Sequence, residues 1–338
     1  MKNIITSIFL LSITLNTQSV SAAINPKICM ILDKAGKDDR SFNQAAYEGF
    51  QTALKTLPIS KESKVIDAKE DTQLKQAIRS FTKSNCAVIF SIGINNADAI
   101  KALIPKYPEQ KFVVIDSVIN ENNVRSIIYR EDQGAFLIGA IAAMKSKTNE
   151  IGFIGGMDIP LIRRFETAYI AGAKYINPKI KVFSGYVGIS IEAWNNPTKA
   201  QELALSQYAQ GADIIFHAAG GSGLGVFNAA EKKDNLKYKK YAIGCDSNQN
   251  WIKPGIVLTS MTKGVTETVI DTIQSVIDDK FSTGKNSYGL SNGGVDWALD
   301  KYNKNLFTNK DLEKIKKIKS DIIAEKIQVP DYYKEAKN

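Results

Sequence analysis

Histidine is almost absent from this chain and cysteine is scarce: His217 stands alone, and the three cysteines are Cys29, Cys86 and Cys245. Their spacings match no zinc or iron–sulfur pattern, so a Cys/His metal site is excluded and no cofactor is expected. The scarcity of imidazole also argues against nucleophilic catalysis. No Gly-x-Ser-x-Gly elbow occurs, and His217 reads as a hydrogen-bonded residue at a strand end. Cys29 and Cys86 read as small hydrophobes in buried strands, and no structural disulfide is expected. Long apolar runs are missing too. The longest, over residues 4–15, falls short of the roughly 20 residues that span a bilayer.

That run nevertheless has a meaning. Lys2 precedes it, and Val20-Ser21-Ala22 follows it with small residues, the pattern of a secretion signal over residues 1–22 cleaved between Ala22 and Ala23. The mature protein is expected to work outside the cytoplasm, and no cysteine at the cleavage site offers a lipid anchor. The 338 residues carry a formal net charge of +9, which raises nucleic acid as a partner. The lysines, however, are scattered among acids or lie on the wet face of a helix around residues 311–325, so no nucleic-acid binding is expected.

Short apolar runs alternate with helical patterns. Strands are expected over residues 28–32, 64–68, 87–91 and 111–115, with helices over 42–57, 72–84 and 96–106. After an Ala- and Gly-rich helix over 131–144 the series restarts, with strands at 151–154, 180–187, 214–217, 240–244 and 257–260. Such alternation implies parallel sheets covered on both faces. The fold class is therefore α/β with two Rossmann-like lobes and a cleft between them. The first lobe is expected to hold residues 23–127 plus 257–285, and the second 128–256 plus 286–338.

In open α/β sheets, ligands sit beyond the carboxyl ends of the strands. The loops at those ends carry Asp33, Phe42, Asn43, Gly93-Ile94-Asn95-Asn96, Asp116, the stretch from Gly188 to Trp194, Phe216, Gly220, Gly221, Asp246 and Lys263. Carboxylates accept paired hydrogen bonds from ligand hydroxyls, and an aromatic ring stacks on a flat base. Taken alone, each acid could equally be a helix cap and each ring a core residue. Gly221-Ser222-Gly223-Leu224-Gly225 lacks the third glycine of a dinucleotide fingerprint, and reads as a tight loop offering backbone N–H groups at a helix N-terminus.

Six segments in order resemble the basic-membrane-protein family of ABC-transporter substrate-binding proteins, which includes purine nucleoside receptors. They are Asp38-Asp39-Arg40-Ser41-Phe42-Asn43-Gln44, Tyr129-Arg130-Glu131-Asp132-Gln133-Gly134-Ala135-Phe136-Leu137-Ile138-Gly139, Gly152-Phe153-Ile154-Gly155-Gly156-Met157, Ala218-Ala219-Gly220-Gly221-Ser222-Gly223, Gly244-Cys245-Asp246-Ser247-Asn248-Gln249 and Thr259-Ser260-Met261-Thr262-Lys263. The resemblance implies a type I periplasmic-binding-protein architecture hinged by three crossover strands. It further implies a monomeric, non-enzymatic receptor that passes a nucleoside such as adenosine, guanosine or inosine to an ABC permease. Phe42 and Phe216 would sandwich the base and Asp33 would bond its edge. Asp246 and Lys263 would hold the ribose, with Gly220 or Gly221 approaching by backbone and Asn43 and Asp116 nearby. Lys34 stands where a small polar residue is expected, which bears on base preference. Without a lipid anchor, such a receptor is expected in a periplasm. The alternatives are a receptor for a sugar or other polar metabolite, a nucleoside-processing enzyme, and a sensor partner of a membrane receptor.

Overall fold

In the first strand, β1 (Ile28–Leu32), every residue is buried, as a central parallel strand covered on both faces requires. The computed structural model describes residues 25–232 and 238–335, so the expected signal over residues 1–22 lies outside the described residues. After β1 come α1 (Phe42–Thr56), β2 (Lys64–Asp67), α2 (Asp71–Lys83), β3 (Val88–Ile92), α3 (Ala97–Lys101), β4 (Phe112–Ile115) and β5 (Val124–Tyr129). The second series runs α4 (Glu131–Lys145), β6 (Glu150–Met157), α5 (Pro160–Ile176), β7 (Lys181–Gly188), α6 (Pro197–Ala209), β8 (Ile214–Ala218), α7 (Gly223–Glu231), β9 (Tyr241–Asp246) and β10 (Val257–Lys263). α8 (Val265–Ile277), β11 (Gly284–Tyr288), β12 (Val295–Trp297) and α9 (Asn309–Ile323) follow.

The strands form two six-stranded sheets of matching order, β2-β1-β3-β4-β5-β11 and β7-β6-β8-β9-β10-β12. Only β12 runs antiparallel, against β10. Helix α2 shows why the helices dock: Leu74, Ala77, Ile78 and Phe81 are its buried residues, at the i, i+3, i+4, i+7 spacing of one face. They meet Ile31, Ile89 and Val114 on one side of the first sheet, while α1 and α8 cover the other. In the second sheet α4 and α5 pack together on one face. Nearly all of α4 is buried, which its Ala- and Gly-rich composition permits.

Three details depart from the sequence-based expectation. β10, assigned to the first lobe, hydrogen-bonds to β9 in the second sheet, and β11 lies wholly beside β5 in the first. The chain therefore crosses between sheets near Arg130, Gly264 and Gly289. The helix expected over residues 96–106 is broken into α3 and two flanking 3-10 turns, because Pro105 cannot continue an α-helix. Finally, Cys29 and Cys86 are disulfide-bonded, with Cα atoms 5.9 Å apart. β1 and β3 are neighbours in the sheet, paired Cys29 to Ile89, and that adjacency brings Cys86, just ahead of β3, against Cys29. The expectation of no structural disulfide is corrected.

Candidate functional site

Asp116 and Asp246 end equivalent strands, β4 and β9, and both take left-handed backbone, with φ of 67° and 63°. Aspartate tolerates this conformation better than most residues, and it turns each chain sharply at the sheet edge. Both carboxylates reach one cavity between the sheets. It is lined by Asp33, Asp39, Phe42, Asn43, Gly93 and Asn95 from the first sheet's loops. From the second come Leu161, Ile162, Phe165, Trp194, Gly220, Cys245, Asp246 and Lys263. The empty space among these side chains is about 540 Å³, open solvent at its edge included.

One end of the cavity is a network around Asp33. Its Oδ1 accepts from Ala35 N at 2.9 Å and Asn43 Nδ2 at 3.0 Å. Its Oδ2 accepts from Asn95 Nδ2 at 2.9 Å. Asn43 Oδ1 takes the Asp33 N–H in return. Gly93 makes room for this carboxylate: a Cβ there would stand 2.5 Å from Asp33 Oδ2, and its φ is +91°. Asp39 caps α1 by accepting the N–H groups of Ser41, Asn43 and Gln44. Burial pushes the pKa values of Asp33 and Asp39 above the ordinary carboxylate range, against the pull of their hydrogen bonds.

The other end is organised by Lys263. Its Nζ donates to Asp116 Oδ2 at 2.6 Å and lies 3.2 Å from Glu131 Oε1. The ammonium sits 4.8 Å from the Phe42 ring centroid and 4.9 Å from that of Tyr129. Burial alone would depress its proton affinity, but the carboxylates of Asp116, Glu131 and Asp246 hold it well above the usual lysine range. Burial pushes those three carboxyls up in turn. Glu131 is also held by Arg164 Nη1 at 2.7 Å. Asp116 Oδ1 is buried without a protein partner.

Most of the residues expected at the site meet here: Asp33, Phe42, Asn43, Asp116, Gly220, Asp246 and Lys263 all line the cavity. Gly221 is buried next to it, within reach of the Trp194 carbonyl. Phe216 does not meet them. It is fully buried, with its ring 5.3 Å from Tyr169 and 5.8 Å from Phe153. It lies inside β8 rather than past its end, and strand alternation turns it onto α5. The aromatics that the second lobe brings to the cavity are Phe165, from α5, and Trp194, at the end of the 3-10 turn Ile191–Trp194. The Trp194 indole comes close against Gly156, where a Cβ would be only 2.4 Å from Cζ3. Asn95 and Trp194 belong to loops expected at the strand ends without an assigned role, whereas Phe165, Asp39 and Glu131 carry no site expectation from the sequence. Lys34 is directed elsewhere, its Nζ 3.3 Å from Asp71.

These positions predict opposite behaviours for two aromatics. Trp194→Leu should weaken ligand binding about tenfold, near 1.4 kcal/mol. Phe216→Leu should cost about 1 kcal/mol of stability and leave affinity within about threefold. Calorimetric titration and denaturant unfolding of both variants would check this. A Phe216→Leu protein that folds but binds tenfold more weakly would return Phe216 to the site.

The family model for Bmp, described as ABC transporter substrate-binding protein PnrA-like, matches residues 27–332. The chain is 35% identical over 320 residues to the ABC transporter nucleoside-binding protein BmpA of Lactococcus lactis, covering 90% of this chain and 89% of that one. It is 34% identical over 317 residues to basic membrane protein A of Borreliella afzelii, covering 92% and 93%. Among solved structures, a solute-binding protein of an ABC transporter system from Aeropyrum pernix superposes with a TM-score of 0.80 at 24% identity, over 90% of this chain and 94% of that one.

Proposed function

We propose that this chain, which belongs to the Bmp family of ABC transporter substrate-binding proteins, closes around a purine nucleoside and presents it to the permease of an importer. Members of the family are solute receptors and not enzymes, so binding is the whole chemistry. The observation that carries the nucleoside reading is the lining of the cleft. Phe42 comes to it from one lobe and Trp194 from the other, with an excess of hydrogen-bond acceptors between. Two rings suit a flat heterocycle, each stack adding roughly 0.5–1.5 kcal/mol beyond area burial. Acceptor-rich walls suit a partner bearing N–H and O–H donors. A phosphate is disfavoured, since among the described residues no arginine lines the cavity, and the lysine that does is already offset by Asp116 and Glu131.

In this reading Phe42 and Trp194 sandwich the base, and Asp33, held by Asn43 and Asn95, bonds its edge. Asp246 and Lys263 take the ribose hydroxyls, with Asp116 and the backbone of Gly220 or Gly221 beside them. The printed description of the Lactococcus relative as nucleoside-binding agrees with it.

No helix among the described residues is long and apolar enough to cross a membrane. One relative is described as a lipoprotein. Here the first cysteine, Cys29, is buried in β1 and bonded to Cys86, so it is not available for acylation. In this reading the mature protein is a periplasmic form beginning at Ala23.

One experiment addresses both claims. Mass spectrometry of the exported protein should release adenosine, guanosine or inosine on denaturation, and the intact chain should have the mass of a polypeptide starting at Ala23. Recovery of sugars alone, with no calorimetric heat on adding nucleosides, would overturn the ligand. A diacylglyceryl mass increment would overturn that form.

A further inference from the structure

On one side the cleft is bridged by protein alone. The loop ahead of α1, in the first lobe, meets the loop after β9, in the second. The buried Ser41 donates from Oγ to Asp246 Oδ2 at 2.6 Å, and the same oxygen lies 3.2 Å from the Cys245 carbonyl. A hydroxyl has one proton, and the shorter contact with a carboxylate holds it. Ser247 Oγ donates back to the Ser41 carbonyl at 3.0 Å. Gln249 Nε2 donates to the Arg40 carbonyl at 2.8 Å.

The second-lobe side of this contact is rigid. Gln249 Oε1 accepts from Cys245 N at 2.9 Å and faces His217 Nε2 at 3.1 Å, while Gln249 N donates to Ser260 Oγ at 3.0 Å. The first-lobe side is fixed by Asp39, which accepts the Ser41 and Asn43 N–H groups at 2.9 Å. Ser41 is therefore held on both sides, through its N–H by Asp39 and through its hydroxyl by Asp246.

We propose that Ser41 is a positioning residue for the ribose end of the site: its hydroxyl, reaching from the opposite lobe, sets the orientation in which Asp246 receives the ligand's hydroxyls. The inference rests on the reading that Asp246 holds the ribose. It makes sugar recognition depend on the two lobes being together, because the donor and the carboxylate belong to different lobes. A carboxylate attached through two freely rotating bonds would otherwise lose rotamer entropy on meeting the ligand. Ser41 removes that cost by fixing it beforehand.

The test compares inosine with 2′,3′-dideoxyinosine, which has the same base and lacks both ring hydroxyls of the sugar. Affinities of the full mature protein for both are measured by calorimetry in four forms: native, Ser41→Ala, Asp246→Asn and the double variant. Asparagine at 246 keeps the tolerance for left-handed backbone. The ratio of the two affinities is insensitive to the fraction of protein that has folded. Native protein should prefer inosine, and Ser41→Ala should reduce that preference about fivefold or more. In the Asp246→Asn background, Ser41→Ala should change the ratio less than twofold, since the group that it positions is gone. Ser41→Ala weakening both ligands equally would make Ser41 a structural contact only and overturn the inference. Asp246→Asn leaving the ratio at its native value would instead overturn the ribose assignment of Asp246, and the inference with it.

Discussion

Lys263→Met is expected to weaken nucleoside binding by more than about 100-fold, the equivalent of some 2.7 kcal/mol, and to cost about 3–5 kcal/mol of stability. The two losses share a cause. The ammonium at 2.6 Å from Asp116 and 3.2 Å from Glu131 compensates two buried carboxylates drawn from different elements. Methionine fills the volume and supplies no charge, so those carboxylates are left buried and mutually repelling. Arg164 then remains the nearest cation to Glu131, and Asp116 has none.

The pH dependence follows with a definite sign. Burial already raises the Asp116 and Glu131 pKa values in the folded protein, and removing Lys263 takes away the strongest influence lowering them. A carboxyl whose folded value exceeds its unfolded one binds more protons folded, so stability grows as pH falls through that interval. The variant should therefore recover stability between about pH 8 and pH 5, with a steeper slope than the native protein. Denaturant unfolding across that range would show it. A Lys263→Met protein that is equally stable at both pH values, or binds nucleoside within about threefold of native, would defeat this account.

Removing the disulfide is the second large effect. The bridge closes a loop between residues 57 apart in sequence, which on chain-entropy grounds stabilises by about 4 kcal/mol. A Cys29→Ala, Cys86→Ala double variant should melt roughly 10 °C lower, taking about 2–4 °C per kcal/mol for chains of this size or somewhat smaller. Dithiothreitol should produce a similar shift in the native protein and none in the variant. A double variant within about 1 kcal/mol of native in denaturant unfolding would sink the claim. The bridge also fits the proposed export, since such bonds persist in oxidising compartments.

How far the sequence could be read depends on which residues do the work. The strands of the parallel sheets were legible because they are buried on both faces and so appear as unbroken apolar runs, as in Ile28–Leu32. β11 and β12 were not, because GKNSY and VDW are polar or short edge strands that earn their place by pairing with β5 and β10. Asp33, Asp116, Asp246 and Lys263 were legible because each sits at the carboxyl end of a recognisable strand. Phe216 misled because one residue of register decides whether a strand residue faces a helix or a ligand. Trp194 falls in a loop expected at a strand end, but its 3-10 turn has no periodicity of its own to single the ring out. The disulfide was missed because Cys29 and Cys86 are neighbours only through sheet order, which strand runs by themselves do not announce.

The three crossings between the sheets have a consequence for how the protein is made. The first sheet receives its edge strand β11, and the helix α8 that covers α1, only after the whole of the second sheet apart from β12 has been synthesised. Until then the backbone of β5 presents unpaired N–H and C=O groups, a template for pairing with another chain. The N-terminal half therefore cannot mature as the ribosome proceeds, and its long-range pairings favour slow folding. Such an order of assembly suits a chain that crosses a membrane unfolded and folds once it has all arrived. A nascent or proteolysed product ending before Gly284 would carry that open edge permanently, and aggregation is its expected fate.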